Sequence, residues 1–249
     1  MPLTRLRATT TALLLATPLA LAGCGSDSGS DADATSGGDG AFPVSIKSSL
    51  GTAEITEKPE KVVTLGQGST ETSIALGTIP VGMEEYAWAA DKSGYTPWVN
   101  EAVKDEGGEL PEFVGAGEEL DMEKIVELEP DVILAPWSGI TQEQYDSLSE
   151  IAPTVAYPDQ AWSIDWDEQI EIIGQALGQE DDAAKLVTDL EKQLADEAKK
   201  HPDWKNYTFS YVYTTPDTLG VFKPTEQRAD MVRKLGLKSD PAIDKMEET

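Results

Sequence analysis

Basic residues, histidine and cysteine are scarce in this 249-residue chain, and each scarcity removes a class of function. Lys and Arg together number 19 against 46 Asp and Glu, for a formal net charge of −27. Nucleic acid is thereby excluded as a partner, because binding a phosphate backbone requires clustered Lys and Arg. The single histidine, His201, stands beside Pro202 in a lysine-rich stretch and reads as an exposed helix-end residue. One histidine cannot build a His-rich zinc site, and nothing around His201 marks the buried base of a Ser-His-Asp site. Carboxylate-pair hydrolysis stays open, since among so many acids some pairs will be close by chance.

The single cysteine ends the run Leu21-Ala22-Gly23-Cys24. Arg5 and Arg7 precede an apolar stretch from Ala12 to Ala22, which gives the three parts of a secretory signal. That stretch is short of the roughly 20 residues a membrane span needs. The run resembles a bacterial lipobox, in which the thiol is acylated and the segment before it removed. Cys24 is then the lipidation site, a disulfide within the chain is ruled out, and the mature protein is tethered to the outer face of a membrane. Residues 25–40 are Gly, Ser, Asp, Ala and Thr, too polar to build a core, and read as a flexible tether.

Beyond the tether a β/α rhythm begins. Phe42–Ile46 and Ala53–Thr56 alternate around Gly51 as a small hairpin would. Val62–Leu65, Ile79–Met83, Asp131–Ala135 and Thr154–Tyr157 are short apolar runs of buried-strand type. Helices are expected over Thr70–Leu76, from an N-cap at Asp121 through Glu129, and after the capping box of Thr141 and Gln144. Trp166, Ile170, Ile173 and Leu177 share a further helical face closed by Gly178. Alternating strands and helices imply a mostly parallel sheet covered on both faces, with ligand at the loops leaving the strands' carboxyl ends. Asp182–Lys200 is a long amphipathic helix of about 28 Å. Thr208–Tyr213 and Leu219–Phe222 read as strands, and Glu226–Leu235 as a helix closed by Gly236.

Four stretches, in order, carry a resemblance to a known family. They are Glu57–Gly66 leading into Thr70-Glu71 and Ala75–Gly77; Glu123–Leu134; Ser138–Tyr145 with Leu148-Ser149 and Ile151–Tyr157; and Gly174–Gly178 leading into the long helix. Together they resemble the iron-siderophore substrate-binding lipoproteins of bacterial ABC importers, within the helical-backbone class of periplasmic binding proteins. The resemblance implies a class III periplasmic-binding-protein fold: α/β, with two three-layer α/β/α lobes joined by one long helix. It divides the chain into a signal peptide (1–23), a tether (24–41), an N-terminal lobe (42–181), an interlobe helix (182–201) and a partial C-terminal lobe (202–249). Family members usually continue several tens of residues further, so the second lobe is expected to be incomplete.

The resemblance also implies a function and a site. The expected activity is capture of a ferric siderophore and delivery to an ABC permease, without catalysis, by a monomer. Iron would enter only as part of the siderophore, and no cofactor or protein-held metal is expected. Haem or cobalamin is the alternative ligand for the same fold, and a surface hydrolase the alternative class. By position, the ligand-binding candidates are Gln67, Ser69, Tyr86, Trp88, Trp98, Trp137, Ser138 and Trp162 from the first lobe. From the second they are Tyr211, Tyr213, Phe222 and Arg228. Tryptophans in or beside strand-end loops either pack their own loops or offer a large chelate broad apolar contact with one N–H donor. Tyr211 and Tyr213 fall on one strand face and can equally be core. Arg228 suits carboxylate or catecholate oxygens, or solvent at a helix start. Glu123 matches the acidic residue with which the family's first lobe docks on its permease.

Overall fold

The computed structural model describes residues 41–117, 119–214 and 218–246; Cys24, the signal segment and most of the tether lie outside the described residues. A small antiparallel hairpin comes first, β1 (Val44–Lys47) and β2 (Thr52–Ile55), with Val44 opposite Ile55. A five-stranded parallel sheet follows, built from β3 (Val62–Thr64), β4 (Gly82–Met83), β5 (Glu112–Phe113), β8 (Val132–Leu134) and β9 (Thr154–Val155). A two-stranded ribbon, β6 (Gly115–Ala116) and β7 (Glu119–Leu120), interrupts the sequence between β5 and β8.

The sheet order is β5-β4-β3-β8-β9. The chain therefore builds outward on one side of β3, then returns to build on the other. Side chains on a strand alternate faces, and here the alternation sorts the core into layers. Val62, Val132, Leu134 and Val155 pack with α5 (Trp166–Leu177) on one face. Val63, Leu65, Ile133 and Ala135 pack on the other with Ile125 of α3 (Met122–Leu128) and with Tyr145 and Leu148 of α4 (Gln142–Ile151). Helix α1 (Ser69–Ala75) joins α2 (Pro97–Asp105) through Ile74, Val99 and Val103.

The helix signals hold in detail. Asp121 caps α3 by accepting the Lys124 N–H at 2.9 Å. Thr141 and Gln144 cap each other's backbone at α4. Gly178, at φ 65°, ends α5 in the left-handed region that glycine enters without steric cost.

Helix α6 (Glu180–Lys200) has 21 residues, about 31 Å. It lies along α5, where an added Cβ on Gly174 would collide with Ala183. Beyond it, a 3₁₀ turn at Trp204–Asn206 stacks Trp204 on His201, with ring centres 4.1 Å apart. The 202–246 region then holds β10 (Thr208–Phe209), β11 (Val212–Thr214), β12 (Leu219–Val221), α7 (Gln227–Lys234) and β13 (Lys238–Ser239).

Two expectations change. Thr208–Tyr213 is not one strand: β10 pairs parallel with β13, and β11 pairs antiparallel with β12. Apolar alternation runs across Ser210 and carries no mark of the change of partner. Trp98, expected in or beside a strand-end loop, lies in the first turn of α2, a helix with only Val99 and Val103 buried, too few anchors to stand out in the sequence.

Candidate functional site

Where a parallel sheet reverses its order of construction, the loops on either side diverge and leave a crevice. That point lies between β3 and β8. The loop after β3 turns at Gly66 (φ 75°), where an added Cβ would overlap the Trp137 carbonyl oxygen. Gln67 donates its N–H to that same oxygen at 3.2 Å. In the loop after β8, Ser138 is buried and its Oγ donates to the Ala135 carbonyl at 2.8 Å, which commits the hydroxyl to its own turn. Trp162 donates its N–H to the Ser138 carbonyl at 3.1 Å, and its indole covers Gly139, which has no side chain to obstruct it. Trp162 has φ 60°, a conformation a bulky residue seldom adopts.

Glutamines link these loops to α7. Gln169 Nε2 donates to the Gln67 carbonyl at 2.7 Å, and Gln169 Oε1 accepts from Gln227 Nε2 at 3.2 Å. Beside Gln227, Arg228 is enclosed by aromatic rings. Its guanidinium carbon lies 4.4 Å from the Phe222 ring centre, 5.2 Å from that of Trp137 and 5.9 Å from that of Tyr211. Arg228 Nε donates to Glu226 Oε1 at 2.6 Å. The other Glu226 oxygen accepts the N–H groups of Arg228 and Ala229, so one carboxylate caps the helix and holds the arginine. Tyr211 and Tyr213 both pack on Phe222, with ring centres 5.8 and 5.0 Å away.

Alongside this cluster lies a cavity of about 800 Å³, walled by residues 159–168 on one side and by β12 and the start of α7 on the other. Trp162, Tyr213 and Phe222 line it. The structure thus joins Gln67, Trp137, Ser138, Trp162, Tyr211, Tyr213, Phe222 and Arg228 in one region.

The remaining aromatic candidates form a second group. Tyr86 meets Trp88 edge-on at 6.1 Å, and Trp98 Nε1 donates to Glu71 Oε1 at 2.9 Å. Ser69 Oγ, Glu71 Oε2 and the Tyr86 hydroxyl are buried with no hydrogen-bond partner among the described residues. Burial pushes the Tyr86 phenol well up, and the carboxylates of Glu84 and Glu71 add to the effect, so the group stays a neutral donor. None of Ser69, Tyr86, Trp88 and Trp98 lines the cavity. Glu123 lies in the first turn of α3, exposed and away from the cavity lining.

Two connecting residues escaped the sequence reading. Gln169 had a signal: it falls on the same helical face as Trp166, Ile170 and Ile173, a polar residue in an apolar stripe. Glu226 read only as a helix start. Among the described residues, no group of three or more His, Cys, Asp or Glu is arranged to hold a metal ion. No helix among them is long and apolar enough to cross a membrane.

Residues 62–247 match the model of the periplasmic binding protein family. The chain belongs to that family. A probable siderophore-binding lipoprotein of Bacillus subtilis is 30% identical over 206 residues, a match covering 76% of this chain and 60% of the relative. A solved structure of the Streptococcus pneumoniae protein PiaA in complex with ferrichrome superposes with a TM-score of 0.73 at 32% identity, covering 81% of this chain and 69% of that one. Staphylococcus aureus SirA complexed with staphyloferrin B gives a TM-score of 0.65 at 29% identity, with 81% and 66% covered. The chain therefore spans about 60% of the length of its B. subtilis relative. The expected α/β fold of a class III periplasmic binding protein is borne out. The family and these relatives are substrate-binding proteins.

Proposed function

We propose that this protein captures a ferric siderophore outside the cell membrane and delivers it to an ABC permease. One observation carries the reading: Arg228, set among Trp137, Tyr211 and Phe222, joins the crevice loops of the sheet to α7 beside a chelate-sized cavity. Aromatic faces give a bulky ligand apolar contact, and a few placed polar groups orient it. The siderophore-binding names of the B. subtilis relative and the two solved neighbours support the same ligand class.

Within this reading, iron arrives already chelated and needs no protein ligand. Residues 42–181 and 202–249 act as the two sides of the cleft, and 182–201 as the helix between them. Cys24 carries the lipid that keeps the protein, a monomer, at the membrane's outer face, as the lipoprotein names of its relatives suggest. Exposed Glu123 meets the permease.

Tryptophan fluorescence of the full chain, titrated with ferric hydroxamate, catecholate and citrate complexes, tests the proposal. Saturable quenching by a ferric chelate and not by its iron-free form is expected. Silence with all of them, from a protein whose circular dichroism shows it folded, would overturn it.

A further inference from the structure

The two solved neighbours named above hold different siderophores, so family membership leaves the ligand's charge open, and the cavity's own chemistry bears on it. Its charged lining residues, among those described, are Asp159, Asp165, Glu168 and Glu226 against Lys223 alone. Both neighbouring cations are already engaged. Lys223 Nζ donates to the Met246 carbonyl at 2.6 Å. Arg228, the residue that would attract an anion, pairs through its Nε with Glu226 at 2.6 Å, which offsets its charge, and lies beside the Trp137 and Phe222 rings. Partial burial, and then the like charges of Asp165, Asp159, Asp167 and Glu171, raise the Glu168 carboxyl from its ordinary value. Among the uncharged lining residues, Trp162, Tyr213 and Phe222 present aromatic faces, which attract cations and tolerate neutral chelates.

Resting on the siderophore reading above, we infer that this cavity selects ferric chelates that are neutral or cationic, of the trihydroxamate type, and rejects anionic catecholates and carboxylates. The selection is electrostatic: Asp165, Glu168 and Asp159 repel an anion, and the charge of Glu226 offsets that of the one nearby arginine. Like charges brought together across the cleft oppose binding, whereas a cationic chelate gains from the same field.

The test titrates the full chain, in detergent, with ferrioxamine B (cationic), ferrichrome (neutral) and ferric enterobactin (trianionic), following tryptophan fluorescence. The two hydroxamates are expected to bind saturably, and ferric enterobactin at least about tenfold more weakly at low salt. Raising salt to about 0.3 M narrows that gap by screening. A double variant, Asp165→Asn with Glu168→Gln, narrows it by about tenfold at low salt. The salt series on the unaltered chain reads the same electrostatics if the variant folds poorly. Ferric enterobactin binding as tightly as the hydroxamates, or a gap that neither salt nor the variant moves, overturns the inference and leaves the siderophore reading standing. Silence from all three chelates, and from ferric citrate, in a folded protein overturns both.

Discussion

Gly66 and the Trp137 carbonyl share a space that a single methyl group would fill. The two residues belong to loops on adjacent strands, β3 and β8, and their contact sets the width of the crevice where those loops part. Gly66→Ala is expected to cost about 2–4 kcal/mol, combining left-handed backbone strain with a backbone collision. Gly77→Ala is the control: it has φ 80° with open space around it, and should cost only about 1–2 kcal/mol. Urea denaturation of both variants measures the difference.

Gln169 holds two separate parts of the chain, the Gln67 carbonyl and the Gln227 side chain, while 3% exposed. Gln169→Ala strands a part-buried carbonyl and a buried amide, and should lower stability by about 1–3 kcal/mol. Gln227→Ala removes only the outer bond and should cost less. Thermal melts of the two variants give the order, and equal losses would contradict the bridging role.

On α6, Asp196 accepts from Lys192 and Lys199, and those bonds hold its carboxyl down to about 2. An unfolded aspartate titrates at about 3.9. The folded value is the lower one, so this contribution to stability is present above about pH 4 and is lost as pH falls toward 2. Carboxyl NMR should place the midpoint near 2 in the folded chain. Added salt or Lys192→Ala should move it upward.

Glu123 separates capture from delivery. Glu123→Arg, at an exposed first-turn position, should leave chelate affinity unchanged and cost about 0.3–1 kcal/mol through the helix dipole. Uptake of the ferric chelate by cells carrying the variant should fall sharply. Undiminished uptake would remove Glu123 from the docking surface.

The sheet and its helices were legible because their signals are local. The capping box at Thr141, the Asp121 cap and the Gly178 stop each occupy a few residues and behave in the structure as they read in the sequence. Lengths were less legible: Thr154–Tyr157 shrinks to a two-residue strand, since pairing with a neighbour, not apolar content, decides where a ladder ends. The site was legible in composition more than in connection. Trp137 and Trp162 stood out as rare types in or beside strand-end loops, but the bonds joining the site's parts cross long stretches of chain. Gln169 and Gln67 are 102 positions apart, and no spacing rule reaches that far.

Of the 21 residues in α6, only Ala183 is fully buried, near the helix start and against Gly174. Farther along, successive turns carry the Lys185–Asp189 and Lys192–Asp196 pairs on the outer surface. Leu186, Val187 and Leu190 pack partly buried on the same core, so amide exchange should be slowest from Ala183 to Leu190 and quicken toward Lys200, where fewer packed side chains cover the backbone bonds. The helix is held through its first three turns and opens most readily near Lys200, so the region after it is joined through the least protected turns of the longest helix described.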